Sequence, residues 1–326
     1  MRKSLLLAAA MTLGGGTILR AQSVSPSCPD GALGSQAQVT QDACQKAVDL
    51  FNYMAPQLGT VIAGGNATLG QGGTLGGFPH FAIGLRVNAL MGSLPKVENV
   101  QPNLTGAVQS DYETGDQALG LPAVDAAIGV FKGLPIGITN VGGVDLLLSA
   151  SYLPEYSDEG IEVTVPDGSL KIGYGARIGL IQESLVTPGL AVSIFKRDLP
   201  VVSIMADAGT ESIEVRNLEV ETTAWRITAS KNFLVFGLAL GGGQDRYDSG
   251  TIINATAGGF STGDVEMGQE LTRTSYFADV YFNVLLAKVV AEVGMVQGGD
   301  VETYNRFDTP ADDSRLYGSV GLRIGF

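Results

Sequence analysis

Apolar and polar residues alternate with a period of two along most of the chain from residue 78 to its last residue. In 170–180, Leu170, Ile172, Tyr174, Ala176, Ile178 and Leu180 alternate with Lys171, Gly173, Gly175, Arg177 and Gly179. In 81–89, Phe81, Ile83, Leu85, Val87 and Ala89 oppose Ala82, Gly84, Arg86 and Asn88. The final stretch sets Leu316, Gly318, Val320, Leu322, Ile324 and Phe326 against Tyr317, Ser319, Gly321, Arg323 and Gly325. Such alternation predicts strands with one apolar face. The apolar parity flips between Val284 and Val289, which requires a break in the strand, expected around Leu286 to Lys288.

Strands are predicted near 78–91, 120–132, 142–153, 169–182, 187–197, 216–231, 233–243, 271–286, 288–298 and 315–326. Short turns fall near 133–141, 183–186, 232 and 287. Longer loops fall near 92–119, 154–168, 198–215, 244–270 and 299–314, although "LPVVSIM" inside 198–215 could extend a strand. The count is about ten, within a range of roughly eight to fourteen, with short turns on one edge and long loops on the other.

Ahead of the strands, residues 22–34 read as loop. Residues 35–58 read as helix, with Val39, Ala43, Ala47, Leu50, Phe51 and Met54 at helical spacing and Pro56 marking the end. One apolar face must dock on something. The expectation is a plug or cap at the short-turn, periplasmic side, or a helix packed at the rim. Residues 59–77 form a glycine-rich connector, read as flexible or lumen-lying. It lacks the Gly-Lys-Ser/Thr of a phosphate loop, so no nucleotide site is expected.

The chain holds 45 glycines and is only 16% charged. Beyond its start, no apolar run is long enough for a membrane helix; Lys288 and Glu292 interrupt the nearest, 284–296. A soluble sandwich would turn the apolar face of its strands inward and coat itself with bulky polar groups. A membrane barrel turns the apolar face to lipid and lines its lumen with polar groups. The expected fold is therefore an all-β, antiparallel transmembrane β-barrel of about ten strands with a short N-terminal helix. The alternative is an exported soluble β-protein acting as a binding module.

Residues 1–21 read as a cleaved signal peptide, with Arg2 and Lys3 before an apolar stretch and cleavage after Ala21. Losing Arg2, Lys3 and Arg20 takes the formal charge from −13 to −16, which disfavours nucleic acid as a partner. Cys28 and Cys44, the only cysteines, are expected to form a disulfide in an exported protein. The domain layout is then signal peptide 1–21, disulfide-tied helix and connector 22–77, and barrel 78–326.

Export signal, alternating strands, glycine-rich walls and a last strand closing on Phe326 together resemble the Gram-negative outer-membrane β-barrel proteins. That resemblance implies outer-membrane localisation, lipid as the surrounding partner and recognition by the barrel-assembly machinery through Tyr317, Val320, Leu322, Ile324 and Phe326. Tyr317, however, falls on the lumen parity. The helix ahead of a glycine-rich connector is loosely similar to the hatch of long-chain fatty-acid transporters, whose Asn-Pro-Ala signature is missing here.

On the lumen parity lie Arg86, Arg177, Arg226, Arg323, Asp145, Asp279 and Glu292. They are read as an ion-paired internal network, with an anion-selective constriction as the alternative. Asp245, Asp248, Asp264 and Glu266, and Asp300, Glu302, Asp308, Asp312 and Asp313, read as solvated acidic loops without EF-hand spacing. His80, the single histidine, has no recognisable Ser or Asp partner, so neither catalysis, metal nor cofactor is expected. Trp225, Tyr152, Phe282 and Phe326 read as an interfacial aromatic girdle. The expected role is structural or interaction-based, or passive passage of small or hydrophobic solutes.

Overall fold

A computed structural model describes residues 23–31, 34–66, 69–96, 103–158, 161–207, 212–257 and 259–325. The expected signal peptide and Phe326 lie outside these residues. Ten long strands carry the fold: β1 (Phe81–Pro95), β2 (Thr114–Phe131), β3 (Gly143–Tyr152), β4 (Leu170–Ile181), β5 (Gly189–Asp198), β6 (Ser212–Phe233), β7 (Phe236–Ala257), β8 (Val265–Val284), β9 (Ala287–Gln297) and β10 (Arg315–Gly325). Each pairs antiparallel with the next, and β10 pairs with β1, so the sheet closes on itself. At closure Val87 faces Val320 and Gly84 faces Arg323. The alternation that predicts the strands also sorts their faces. Leu85, Leu148, Ile178, Leu240 and Val293 point outward and exposed, while Arg86, Arg177 and Arg226 are buried inside.

Strands β6, β7 and β8 run 22, 22 and 20 residues, about twice the length of β3 to β5. The predicted loop 244–270 is therefore mostly strand. The reason is chemical. Past the level of Trp225, Gln244 and Thr274, which are mutual neighbours, the outward residues become Glu221, Arg246, Asp248, Glu270 and Thr272. With polar groups on the outer face there is no apolar alternation to read, yet the ladder continues beyond the lipid. The segment 202–207, within "LPVVSIM", pairs with the β6 extension, and 161–164 pairs with it in turn.

The one helix among the described residues, α1 (Ser35–Ala63), lies within the ring and contacts β1, β2, β5, β6, β7 and β8. It is apolar on the stripe read from sequence: Phe51, Ala55, Val61 and Ile62 pack on Leu90, Leu121, Val220, Phe277 and Val296 of the wall. Pro56 does not end it. Proline has no N–H for the carbonyl of Asn52, but Gln269 Nε2 of β8 donates to that carbonyl at 3.1 Å. The helix thus continues one and a half turns further than predicted, held by the wall.

Candidate functional site: the occupied lumen

The path of the N-terminal segment can be followed by its hydrogen bonds. At the long-loop end, Asp49 accepts from Tyr304 N, Asn305 N, Asn305 Nδ2 and Gln45 Nε2. Asp42 accepts from Asn103 N and Val108 N. The ring of Tyr53 stacks on Phe307 at 4.2 Å. Cys28 and Cys44 are bonded, tying the chain before the helix to its second turn. The Asp49 carboxyl is held above its ordinary value by burial, against the opposing pull of those N–H donors. The expectation had placed a cap at the short-turn end; the helix enters at the opposite end, among the long loops.

Midway down the barrel the helix stops, and its carbonyls meet a collar of arginines. Arg226 Nη2 donates to Ala63 O at 2.6 Å, and Arg86 Nη1 to Gly64 O at 2.9 Å. Arg197 Nη1 reaches Ala63 O, Gly64 O and Gly65 O at 3.2, 3.3 and 2.8 Å. The C-terminal end of a helix carries partial negative charge and unpaired carbonyls, so cations are favoured there. The connector continues toward the short turns. Arg323 Nη1 donates to Leu69 O, Gly72 N to Ser230 Oγ, and Leu75 N to both oxygens of Asp145. Gln182 makes three bonds with Thr74. Gly72 is required by space: a Cβ there would lie 2.6 Å from the carbonyl carbon of Ala229 in β6.

All seven lumen charges read from sequence are buried in the interior, but they are not all paired. Arg177 pairs with Asp145 at 2.6 Å. Arg86 pairs with Asp125 at 2.7 Å and Arg226 with Asp245 at 3.5 Å, and neither of these acids was among the expected seven. Asp245 is a correction: it was read as part of a solvated loop, and it is a buried lumen acid on β7. Arg197 was also missed, because it sits one residue before the end of β5, where alternation fades. Asp279 and Glu292 face each other across β8 and β9, and neither enters an ion pair among the described residues. Arg323 uses its charge on a backbone carbonyl.

Of the other acidic positions, Asp248 and Glu266 are exposed on strands, and Asp264 pairs with Arg216, which holds its carboxyl below the ordinary value. Asp300, Glu302, Asp308, Asp312 and Asp313 are exposed in the last long loop. No cluster of three or more potential metal-ligating side chains occurs among the described residues. His80 lies at the short-turn rim, its Nδ1 2.9 Å from Gly77 O. Trp225, Tyr152 and Phe282 point outward and half exposed, as a girdle needs. Val320, Leu322 and Ile324 also point outward, whereas Tyr317 is buried in the lumen against the helix.

A closed antiparallel wall with an even number of strands, apolar outside and filled within, is that of an outer-membrane β-barrel. No protein-family model matches the chain, and no curated protein sequence does. Solved structures with similar architecture are outer-membrane barrels. The translocator domain of the autotransporter NalP from Neisseria meningitidis is 13% identical, with a TM-score of 0.44, over 87% of this chain and 97% of that one. The outer membrane protease OmpT from Escherichia coli is 10% identical, with a TM-score of 0.38, over 78% and 100%. The toluene transporter TodX from Pseudomonas putida is 11% identical, with a TM-score of 0.32, over 76% and 88%.

Proposed function

We propose that this barrel is a closed membrane platform rather than an open pore. Its own N-terminal segment fills the lumen, and its long-loop face, with the β6–β8 wall and the disulfide-tied start of the chain, is the surface offered to partners. The observation that carries this reading is the arginine collar: Arg86, Arg197 and Arg226, on three strands, grip the carbonyls at the end of α1. A passive pore has no use for such a grip. The lumen charges then hold the plug and do not select ions, and the role is non-catalytic. Planar-bilayer recording tests it. The wild-type protein is expected to give no stable open level, and the Arg197→Ala/Arg226→Ala variant to give frequent openings. A steady wild-type conductance equal to that of the variant would refute the reading.

A further inference from the structure

The short turns carry an unusual chemistry. Two of them are two-residue hairpin loops, Leu234–Val235 between the paired residues Phe233 and Phe236, and Leu285–Leu286 between Val284 and Ala287. Loops of this kind need a positive φ and favour asparagine or glycine. Here leucine takes that position twice, at φ 65° for Leu234 and 56° for Leu285. Both side chains project fully from the protein, 89% and 100% exposed. A third turn projects Leu185, 93% exposed. In water this arrangement loses twice, by backbone strain and by exposed hydrocarbon.

The outer wall explains it. Along β8 the outward apolar run goes from Tyr276 to Val284, and along β6 from Trp225 to Phe233, with polar residues above each. Eight residues at about 3.3 Å each, tilted about 40°, span only about 20 Å, against about 25 Å for the apolar band of such barrels. The loop tips are continuous with the lower edge of that run and supply the missing height. Next to them stand Lys132, Lys231 and Lys288, in a chain whose formal charge is −13, at the level where ammonium groups meet lipid phosphates.

We propose that the leucine-tipped turns are sunk into the inner leaflet of the bilayer, with acyl chains covering Leu185, Leu234 and Leu285. The inference rests on the membrane reading of the fold and not on the plug. Its test uses single-tryptophan proteins in a Trp225→Phe background, reconstituted in phosphatidylcholine vesicles with or without brominated acyl chains. Leu285→Trp is expected to emit at short wavelength, to lose most of its fluorescence to brominated lipid and to resist iodide present on both sides. Leu240→Trp, at mid-wall, is the control. If both are quenched by bromine, the proposal stands. If Leu240→Trp is quenched and Leu285→Trp instead emits at long wavelength and yields to iodide, the tips are in water and the proposal fails. If neither is quenched, the membrane reading itself fails. Leu234→Asn and Leu285→Asn give an independent sign. They raise the urea midpoint if the turns are in water, by relieving strain, and lower it if the turns are in lipid.

Discussion

The Nη2 of Arg226 donates to the carbonyl of Ala63 at 2.6 Å and so fixes the last residue of α1 to the middle of β6. The same carbonyl takes a bond from Arg197 Nη1 at 3.2 Å. Arg197 makes no ion pair among the described residues, so its substitution strands no carboxylate. Arg197→Ala is expected to cost about 2–3 kcal/mol, as for loss of charge-assisted bonds at a buried site. Urea unfolding in vesicles measures it. A midpoint unchanged from wild type would mean the collar does not hold the helix.

Gly59 lets α1 pass the ring of Tyr247. A Cβ at this position would lie 2.6 Å from the ring carbon Cγ. Gly59→Val is expected to push the helix out of register, costing about 1–3 kcal/mol, and to expose α1 to protease. A compensating Tyr247→Ala should restore resistance. Equal protease resistance of wild type and Gly59→Val would place the helix elsewhere.

Asp49 ties the helix to the last long loop and carries a pH dependence. Burial raises its pKa above 3.8, so the folded chain binds this proton more tightly than the unfolded chain. Its contribution is most favourable at low pH and is lost as pH rises through the raised value. The wild-type urea midpoint should therefore fall more steeply over that window than the midpoint of Asp49→Asn. Parallel curves would show that Asp49 titrates at its ordinary value.

Asp279 and Glu292 stand opposite each other inside the wall, both buried. Two like charges at one buried site oppose each other. Glu292→Gln removes one and offers its amide to the other. It is expected to stabilise the barrel by about 1 kcal/mol or more, read from urea midpoints. Destabilisation would mean that the pair is held by a cation.

Much of this was legible in the sequence. The ten strands were, because the wall facing lipid must be apolar at every second residue and the turns must reset that parity, as they do between Val284 and Val289. The β6–β8 extensions were not, since Arg246 and Asp248 face water and carry no apolar rhythm. Asp245 was misread with them. The end of α1 was hidden because Gln269, more than 200 residues away, satisfies the carbonyl that Pro56 leaves free. The apolar stripe told that the helix must dock, but not from which end; that is settled by long-range bonds such as Asp49 to Asn305. Arg197 was passed over because only the helix terminus gives it meaning.

The central claim is that the N-terminal segment enters the lumen from the long-loop face. An epitope tag inserted immediately before Ser23, probed by antibody on Gram-negative cells, tests it most directly. The account predicts strong binding to intact cells, unchanged by permeabilising the outer membrane. Binding only after permeabilisation would put the start of the segment on the periplasmic side and contradict it.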